Sequence, residues 1–360
     1  MKANVNNIFF SIIIPIYNVS RFIERGINQV LAQSFTQYEV ILVDDGSTDN
    51  SGALCDKLAS THDNISCYHQ ENAGSGPARN AGIQKAQGDY IAFFDIDDRI
   101  ETTFLARCRK EIERHCSPDV LMFSYDSFDD KYKSLTPIVF DSKVCSSNDE
   151  IREIYVDHLL GMEKTNGFVW NKVYKREFIV DKNLTFPRLL IQQDEVFNIH
   201  VYEKASTLVI IPDVLYHYVV YDKGNTRSNY IQERLSIYNS VKEELLNLYR
   251  KWELDDIRAL KYIYRRFFNS ILFTMNYNNT HKQAKITRSE RLKKLKMLME
   301  CDETRDCIEN LEKLNAVPEE LLPKIYFNAI KHQRCFTYRL IRKVEQSTKV
   351  IKWSIKKHLL

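Results

Sequence analysis

The chain of 360 residues is poor in the signals that mark whole classes of protein. None of its eight cysteines forms a C-x-x-C pair, which argues against a zinc site. Its longest early apolar run, Ile8 to Ile16, is broken by Ser11 and contains Pro15. A bilayer crossing needs about 20 apolar residues, so that run is strand-length and excludes an N-terminal span or signal sequence. The missing leader pattern leads to the expectation of a cytoplasmic chain with reduced thiols. No internal repeat or low-complexity segment is visible. The phosphate-binding patterns G-x-x-x-x-G-K-S/T and G-x-G-x-x-G are both missing, which removes the Walker and dinucleotide readings.

What is present is an ordinary globular composition, 44% hydrophobic and 28% charged, long enough for two domains. The formal charge of +3 conceals an asymmetry. Residues 227–360 hold 28 lysines and arginines against 16 acids, a net +12, which leaves −9 for the rest. The two parts therefore suit different partners.

The N-terminal part alternates strand and helix patterns. Strands are expected at 8–16, 38–43, 65–69 and 90–94, with helices at 20–34, 49–59 and 77–86. This spacing predicts βαβ units, a mostly parallel sheet and ligand binding at the carboxyl ends of the strands. Those ends carry Tyr17 and Asn18, Asp44 and Asp45, Glu71 and Asn72, then Asp95, Asp97 and Asp98. From about residue 228 helical spacing takes over, as in Leu235, Tyr238, Val241, Leu245 and Leu248. A boundary in the loop-like run Asp222–Asn229 divides the chain into 1–225 and 226–360.

Three runs carry chemistry. In F-F-D-I-D-D (Phe93–Asp98), crowded carboxylates repel unless a cation sits among them, and such oxygen sets suit Mg²⁺ or Mn²⁺. An acidic loop without a role is the competing reading. In V-D-D-G-S-T-D (Val43–Asp49), Gly46 permits a turn and a hydroxyl or Asp49 caps the next helix. Capping leaves two adjacent carboxylates unexplained, and these suit a base N–H or a ribose hydroxyl. In E-N-A-G-S-G-P-A-R-N-A-G (Glu71–Gly82), a Gly-rich loop that includes Gly74 enters a helix with Pro77 near its first turn, a setting for phosphate. Arg79 either reaches that phosphate or pairs with a strand-end Asp.

Together with S-I-I-I-P-I-Y-N and W-N-K-V-Y-K-R, these runs resemble family 2 glycosyltransferases of the GT-A fold over residues 8–220. The resemblance implies that the α/β part is a GT-A domain, with the helical basic extension read above following it, and inversion at the anomeric carbon. It also implies a UDP-sugar donor and Mn²⁺ or Mg²⁺. By position, Tyr17 falls near the nucleobase and Asp44 at the carboxylate that reads the base, and Pro15, Asn18, Asp45, Gly74 and Arg79 are the further candidates for donor binding. Asp95 falls near ribose and metal, Asp97 on the metal, and Asp98 beside the sugar. Inversion requires a general base. In L-I-Q-Q-D-E-V-F-N, Asp194 occupies that position, with Gln193 where the family often has Glu, and with Glu195 as the fallback. Trp170 and Lys172 belong either to a sugar pocket or to the core. His217 is either a late metal or phosphate ligand or a structural histidine.

Lys331–Leu360 holds nine basic residues and one acid among apolar positions that include Trp353. This composition points to a helix on an anionic membrane surface, hence a chain peripheral to the inner face of a bacterial membrane that meets a saccharide or lipid-linked saccharide acceptor. A packed solvated helix or a homodimer contact are the other readings. No reading motif supports nucleic acid. A non-catalytic carbohydrate-binding homologue is the alternative function. A sugar nucleotidyltransferase is disfavoured because P-I-Y-N-V-S replaces its Gly-rich basic loop.

Overall fold

A computed structural model describes residues 8–129, 137–156, 167–221, 230–277, 279 and 281–347. The expected boundary run 222–229 lies outside them, as do residues 348–360 with Trp353. The chain forms two compact units. One comprises Met1–Ile154 with Gly167–Asn225, the other Tyr155–Asn166 with Thr226–Leu360.

The first unit opens with the expected alternation: β1 (Phe10–Ile16), α1 (Ser20–Leu31), β2 (Tyr38–Asp44), α2 (Ser51–Thr61), β3 (Ile65–His69), α3 (Ser75–Lys85) and β4 (Tyr90–Phe93). It continues through β5 (Arg99–Ile100), α4 (Phe104–Arg114), β6 (Val120–Asp129), β7 (Lys143–Cys145), α5 (Asn148–Ile154), β8 (Lys172–Lys175), α6 (Arg176–Asp181), α7 (Gln193–Lys204) and β9 (Leu208–Val220). The strands form one sheet in the order β3-β2-β1-β4-β8-β6-β9-β5, with β7 also on β9. The first four strands are parallel, as βαβ crossovers require. Beyond β4 the sheet is mixed, because β8 runs antiparallel to both β4 and β6.

Ile12, Ile13 and Ile14 of β1 and Val40–Val43 of β2 are almost wholly buried, which matches strands covered on both faces. Helix α3 lies close on β1 because Gly82 has no side chain. A Cβ there would meet Ile13 Cγ2 at 2.4 Å. This contact seats the N-terminus of α3 beside the strand ends.

The second unit is helical among its described residues: α8 (Arg234–Lys251), α9 (Ile257–Asn276), α10 (Arg288–Glu300), α11 (Asp302–Lys313), α12 (Leu321–Lys331) and α13 (Cys335–Ser347). Leu235, Val241, Leu245 and Leu248 of α8 are buried, as are Ile263, Phe267, Phe268 and Ile271 of α9. These are the positions that helical spacing selects. No described helix is long and apolar enough to cross a membrane.

Substituting Gly82→Ala gains about 1 kcal/mol of helix propensity but overpacks Ile13, which costs about 1–3 kcal/mol and more where backbone must move. Urea unfolding is expected to show net destabilisation. Unchanged stability would mean that α3 lifts freely from β1.

Candidate active site

The strand ends converge on Arg79. Its side chain is 3% exposed, yet its Nη1 lies 2.7 Å from Asp194 Oδ1 and its Nη2 2.8 Å from Asp95 Oδ1. Asp95 follows β4, Asp194 stands in the first turn of α7, and Arg79 comes from the first half of α3. Three distant segments are thus tied by one guanidinium. Only arginine offers two donor pairs in a fixed planar fork to two carboxylates at once. Of the two roles open to Arg79, pairing with a strand-end Asp is the one observed. Next to this bridge, Gln193 Nε2 donates to Ser75 Oγ at 2.6 Å, a second tie between α7 and α3. Glu195 is buried at 6% exposure, whereas Asp194 keeps 22% of its side chain accessible.

The acidic run divides into different environments. Asp98 is 1% exposed and locked. Its Oδ2 accepts from the Tyr216 hydroxyl at 2.7 Å and its Oδ1 from the Val219 amide at 2.8 Å. Burial, then the charges of Asp97 and Asp95, push its carboxyl well above the usual range. It therefore braces β9 and does not face a sugar. Asp97 differs. Its backbone carbonyl accepts from Arg25 Nη2 at 2.5 Å and from the Tyr221 hydroxyl at 2.9 Å, which fixes the turn. No cationic side chain among the described residues lies within ion-pair distance of its carboxylate. Burial, with the neighbouring Asp95 charge, raises Asp97 to about 6. A half-buried carboxylate with no ion-pair partner among the described residues, beside a second carboxylate, fits a hard divalent ion.

Asp44, at the end of β2, is 5% exposed. Burial opposes its ionisation, but the Ser47 amide at 3.1 Å and His69 Nδ1 at 2.8 Å outweigh that and lower its pKa. Its two oxygens retain lone pairs for one further donor. Asp45 is spent on structure. It accepts from Gln70 Nε2 and from the amides of Ala73 and Gly74, pinning the Gly-rich loop. Gly74 reaches φ +97° with open space where a Cβ would stand. Asn18, at φ 53°, accepts from the amides of Thr48 and Asp49 and so shapes the same rim. Tyr17 protrudes, 48% exposed, from the end of β1, in which Pro15 pairs with Val43.

Three candidates fall elsewhere. Trp170 is 2% exposed, stacked on Tyr216 at 4.4 Å and on Phe168 at 4.5 Å, so its ring belongs to the core. Lys172 is wholly buried, donating to the Phe168 carbonyl and Asn171 Oδ1, and burial lowers it to about 7. His217 spends one ring nitrogen on Asp126 at 2.5 Å and the other on Glu101 at 2.9 Å. Asp95, Asp97 and His217 do not bring three ligand atoms within 4.8 Å of one another. Sequence reading missed Tyr216, which also meets the Asp95 amide at 3.3 Å, and His69. His217 is the candidate in this stretch, but the tyrosine before it reaches the site.

The model of the family "Glycosyl transferase family 2" matches residues 11–180, which contain all of these strand ends except Asp194 and the β9 tyrosines. A glycosyltransferase of Streptococcus pneumoniae, GlyG, is 30% identical over 213 residues, 58% of this chain and 69% of that protein. The chain belongs to glycosyl transferase family 2. The uncharacterized glycosyltransferase EpsJ of Bacillus subtilis is 31% identical over 209 residues, which span 58% of this chain and 60% of EpsJ. The chain thus matches less than two thirds of that relative's length. In structure, residues 1–349 of Staphylococcus aureus TarS, solved in complex with UDP-GlcNAc, align with a TM-score of 0.66 at 20% identity, covering 94% of this chain and 92% of that one. That likeness establishes the α/β GT-A-type fold followed by C-terminal helices.

Replacing Arg79 by Met keeps bulk and removes the charge, leaving two carboxylates facing each other. Breaking a fully buried pair costs about 3–5 kcal/mol. Asp95 and Asp194 are partly solvated, so a loss of about 2–3 kcal/mol is expected. Arg79→Lys is expected to recover only part of this. Chemical denaturation at neutral pH measures both, and an Arg79→Met protein as stable as the parent would refute the bridge.

Proposed function

We propose that this chain is an inverting glycosyltransferase that moves a sugar from a UDP-linked donor to a saccharide or lipid-linked saccharide acceptor in bacterial surface-polysaccharide synthesis. The observation that carries the reading is the Arg79 bridge, which holds Asp194 against the same guanidinium as the strand-end Asp95. Family membership and the UDP-GlcNAc complex of the structurally similar TarS support the donor class.

Each residue then has a task. Tyr17 offers a ring face to the nucleobase. Asp44, aimed by Ser47 and His69, accepts from a base N–H. The loop at Gly74 gives the diphosphate room to approach backbone. Asp95 and Asp97 are the residues that would hold Mn²⁺ or Mg²⁺, and the ion would supply charge neutralisation for a nucleoside diphosphate leaving group. Asp194 accepts the acceptor hydroxyl's proton as that oxygen attacks the anomeric carbon. The bond to the donor phosphate breaks with its electron pair leaving on UDP. Arg79 orients both carboxylates and does not transfer the proton.

The first unit carries this chemistry, and we assign membrane contact to the second. On α13, Phe336, Leu340 and Val344 recur every fourth residue and are 79%, 53% and 54% exposed. Arg339 and Lys343 lie next to this apolar stripe in sequence. An amphipathic basic helix of this kind suits an anionic bilayer surface. Co-sedimentation with anionic vesicles is expected, with loss in Leu340→Glu. Equal binding by the variant, or a dimeric mass in solution with no vesicle binding, would turn the stripe into a protein contact.

Asp194→Asn is expected to lower kcat by about 10²–10⁴-fold while UDP binding persists. Asp97→Ala is expected to abolish metal-dependent UDP binding, read by calorimetry with and without Mn²⁺. Because proton and metal compete for Asp97, that binding weakens as pH falls through about 6. Full turnover by Asp194→Asn would remove Asp194 as the base, whereas a parent chain that binds saccharide but turns over no donor would return it to the non-catalytic, carbohydrate-binding reading.

A further inference from the structure

Away from Arg79, one cluster has the donor chemistry of a different cation. Asp56 on α2 and Cys67 and His69 on β3 each bring one ligand atom within 4.8 Å of the others. His69 Nε2 lies 2.9 Å from Asp56 Oδ1 and 3.6 Å from Cys67 Sγ. Strand alternation puts residues 67 and 69 on one face.

A tetrahedral zinc ion with ordinary bonds to nitrogen, oxygen and sulfur separates its ligand atoms by roughly 3.3–3.7 Å. The His69–Cys67 distance already meets that. The His69–Asp56 distance must open by about half an ångström, and Asp56, with a 63% exposed side chain, has the freedom to do so. The other ring nitrogen, Nδ1, lies 2.8 Å from Asp44 Oδ2. A carboxylate behind the far nitrogen of a ligating histidine is the outer-shell arrangement that orients such rings and fixes their tautomer. Thiolate, imidazole and carboxylate together favour a borderline ion such as Zn²⁺, whereas the all-oxygen pair Asp95 and Asp97 favours Mg²⁺ or Mn²⁺.

We propose that Asp56, Cys67 and His69 form a zinc site, completed by water, that clips α2 to β3 and sets the His69 ring against Asp44. Zinc takes the place of the proton on Nε2 and of the thiol proton, both released to solvent. The site needs no C-x-x-C pair, because C-x-H on one strand face is completed by a carboxylate from the preceding helix. It stands independently of the transferase reading.

The test uses the full chain, reduced and freed of metal, titrated with Co²⁺ and then Zn²⁺. A thiolate-to-cobalt charge-transfer band saturating near one equivalent and displaced by Zn²⁺ is expected. Cys67→Ser and His69→Gln are expected to lose the band and to weaken zinc by roughly tenfold or more. Asp97→Asn and Cys55→Ser are expected to keep it. Zinc should raise the thermal midpoint of the parent but not of Cys67→Ser, since only a ligand of the native state stabilises it. Far-UV circular dichroism in chelator checks that each variant is folded. A cobalt spectrum without a thiolate band would overturn the site. So would a band that survives Cys67→Ser, or an equal zinc-induced shift in parent and Cys67→Ser.

Discussion

The site depends on a single buried cation. Arg79 sits where the carboxyl end of β4, the start of α7 and the N-terminal half of α3 meet, and it pairs with a carboxylate from two of them. Without it, Asp95 and Asp194 would repel in a poorly solvated space, and the ion pairs that tie α7 to the end of β4 would be lost. The guanidinium costs much to desolvate, and the two charge-assisted hydrogen bonds offset that cost. This accounts for an arginine at 3% exposure on a helix that also packs, through Gly82 one turn further on, onto Ile13.

Around this bridge, adjacent acids have separate tasks. In Asp44–Asp45 and in Asp97–Asp98, the second carboxylate is consumed by structure. Asp45 gathers the amides of the Gly-rich loop, and Asp98 receives Tyr216 and Val219 from β9. The first of each pair keeps capacity for a ligand. Tyr216 joins these tasks, since it serves Asp98, meets the Asp95 amide and stacks on Trp170. A buried aromatic ladder thus supports the acidic turn from beneath. Any change in that ladder reaches the carboxylates through the tyrosine hydroxyl.

His69 extends the organisation to the edge strand β3. One nitrogen orients Asp44, and the other turns toward Asp56 and Cys67. The Asp44 carboxylate is therefore coupled to side chains on the far side of the imidazole, on α2 and β3. The acidic strand ends and this outer cluster differ in donor type, one all oxygen and one with sulfur and nitrogen, so the two suit different ions.

Local order along the chain was legible from residue types alone. The apolar runs at 10–16 and 38–44, the helix between them and the strand at 65–69 follow from β-branched content and period, which depend only on near neighbours. The strand-end acids were legible for the same reason, since a parallel sheet exposes its ligand side at those positions. Side-chain partners were not legible. Asp98 and Asp97 are neighbours of one residue type, yet one is locked and the other has no cationic partner among the described residues, because β9 returns 118 residues after Asp98 to place Tyr216. Trp170 reads equally well as a sugar wall or as core until Tyr216 and Phe168 cover its faces. The sequence by itself determined the βαβ order and which carboxylates stand at the strand ends. The tertiary structure alone decided which of them are paired, because pairing depends on segments as distant as residues 79 and 194 meeting in space.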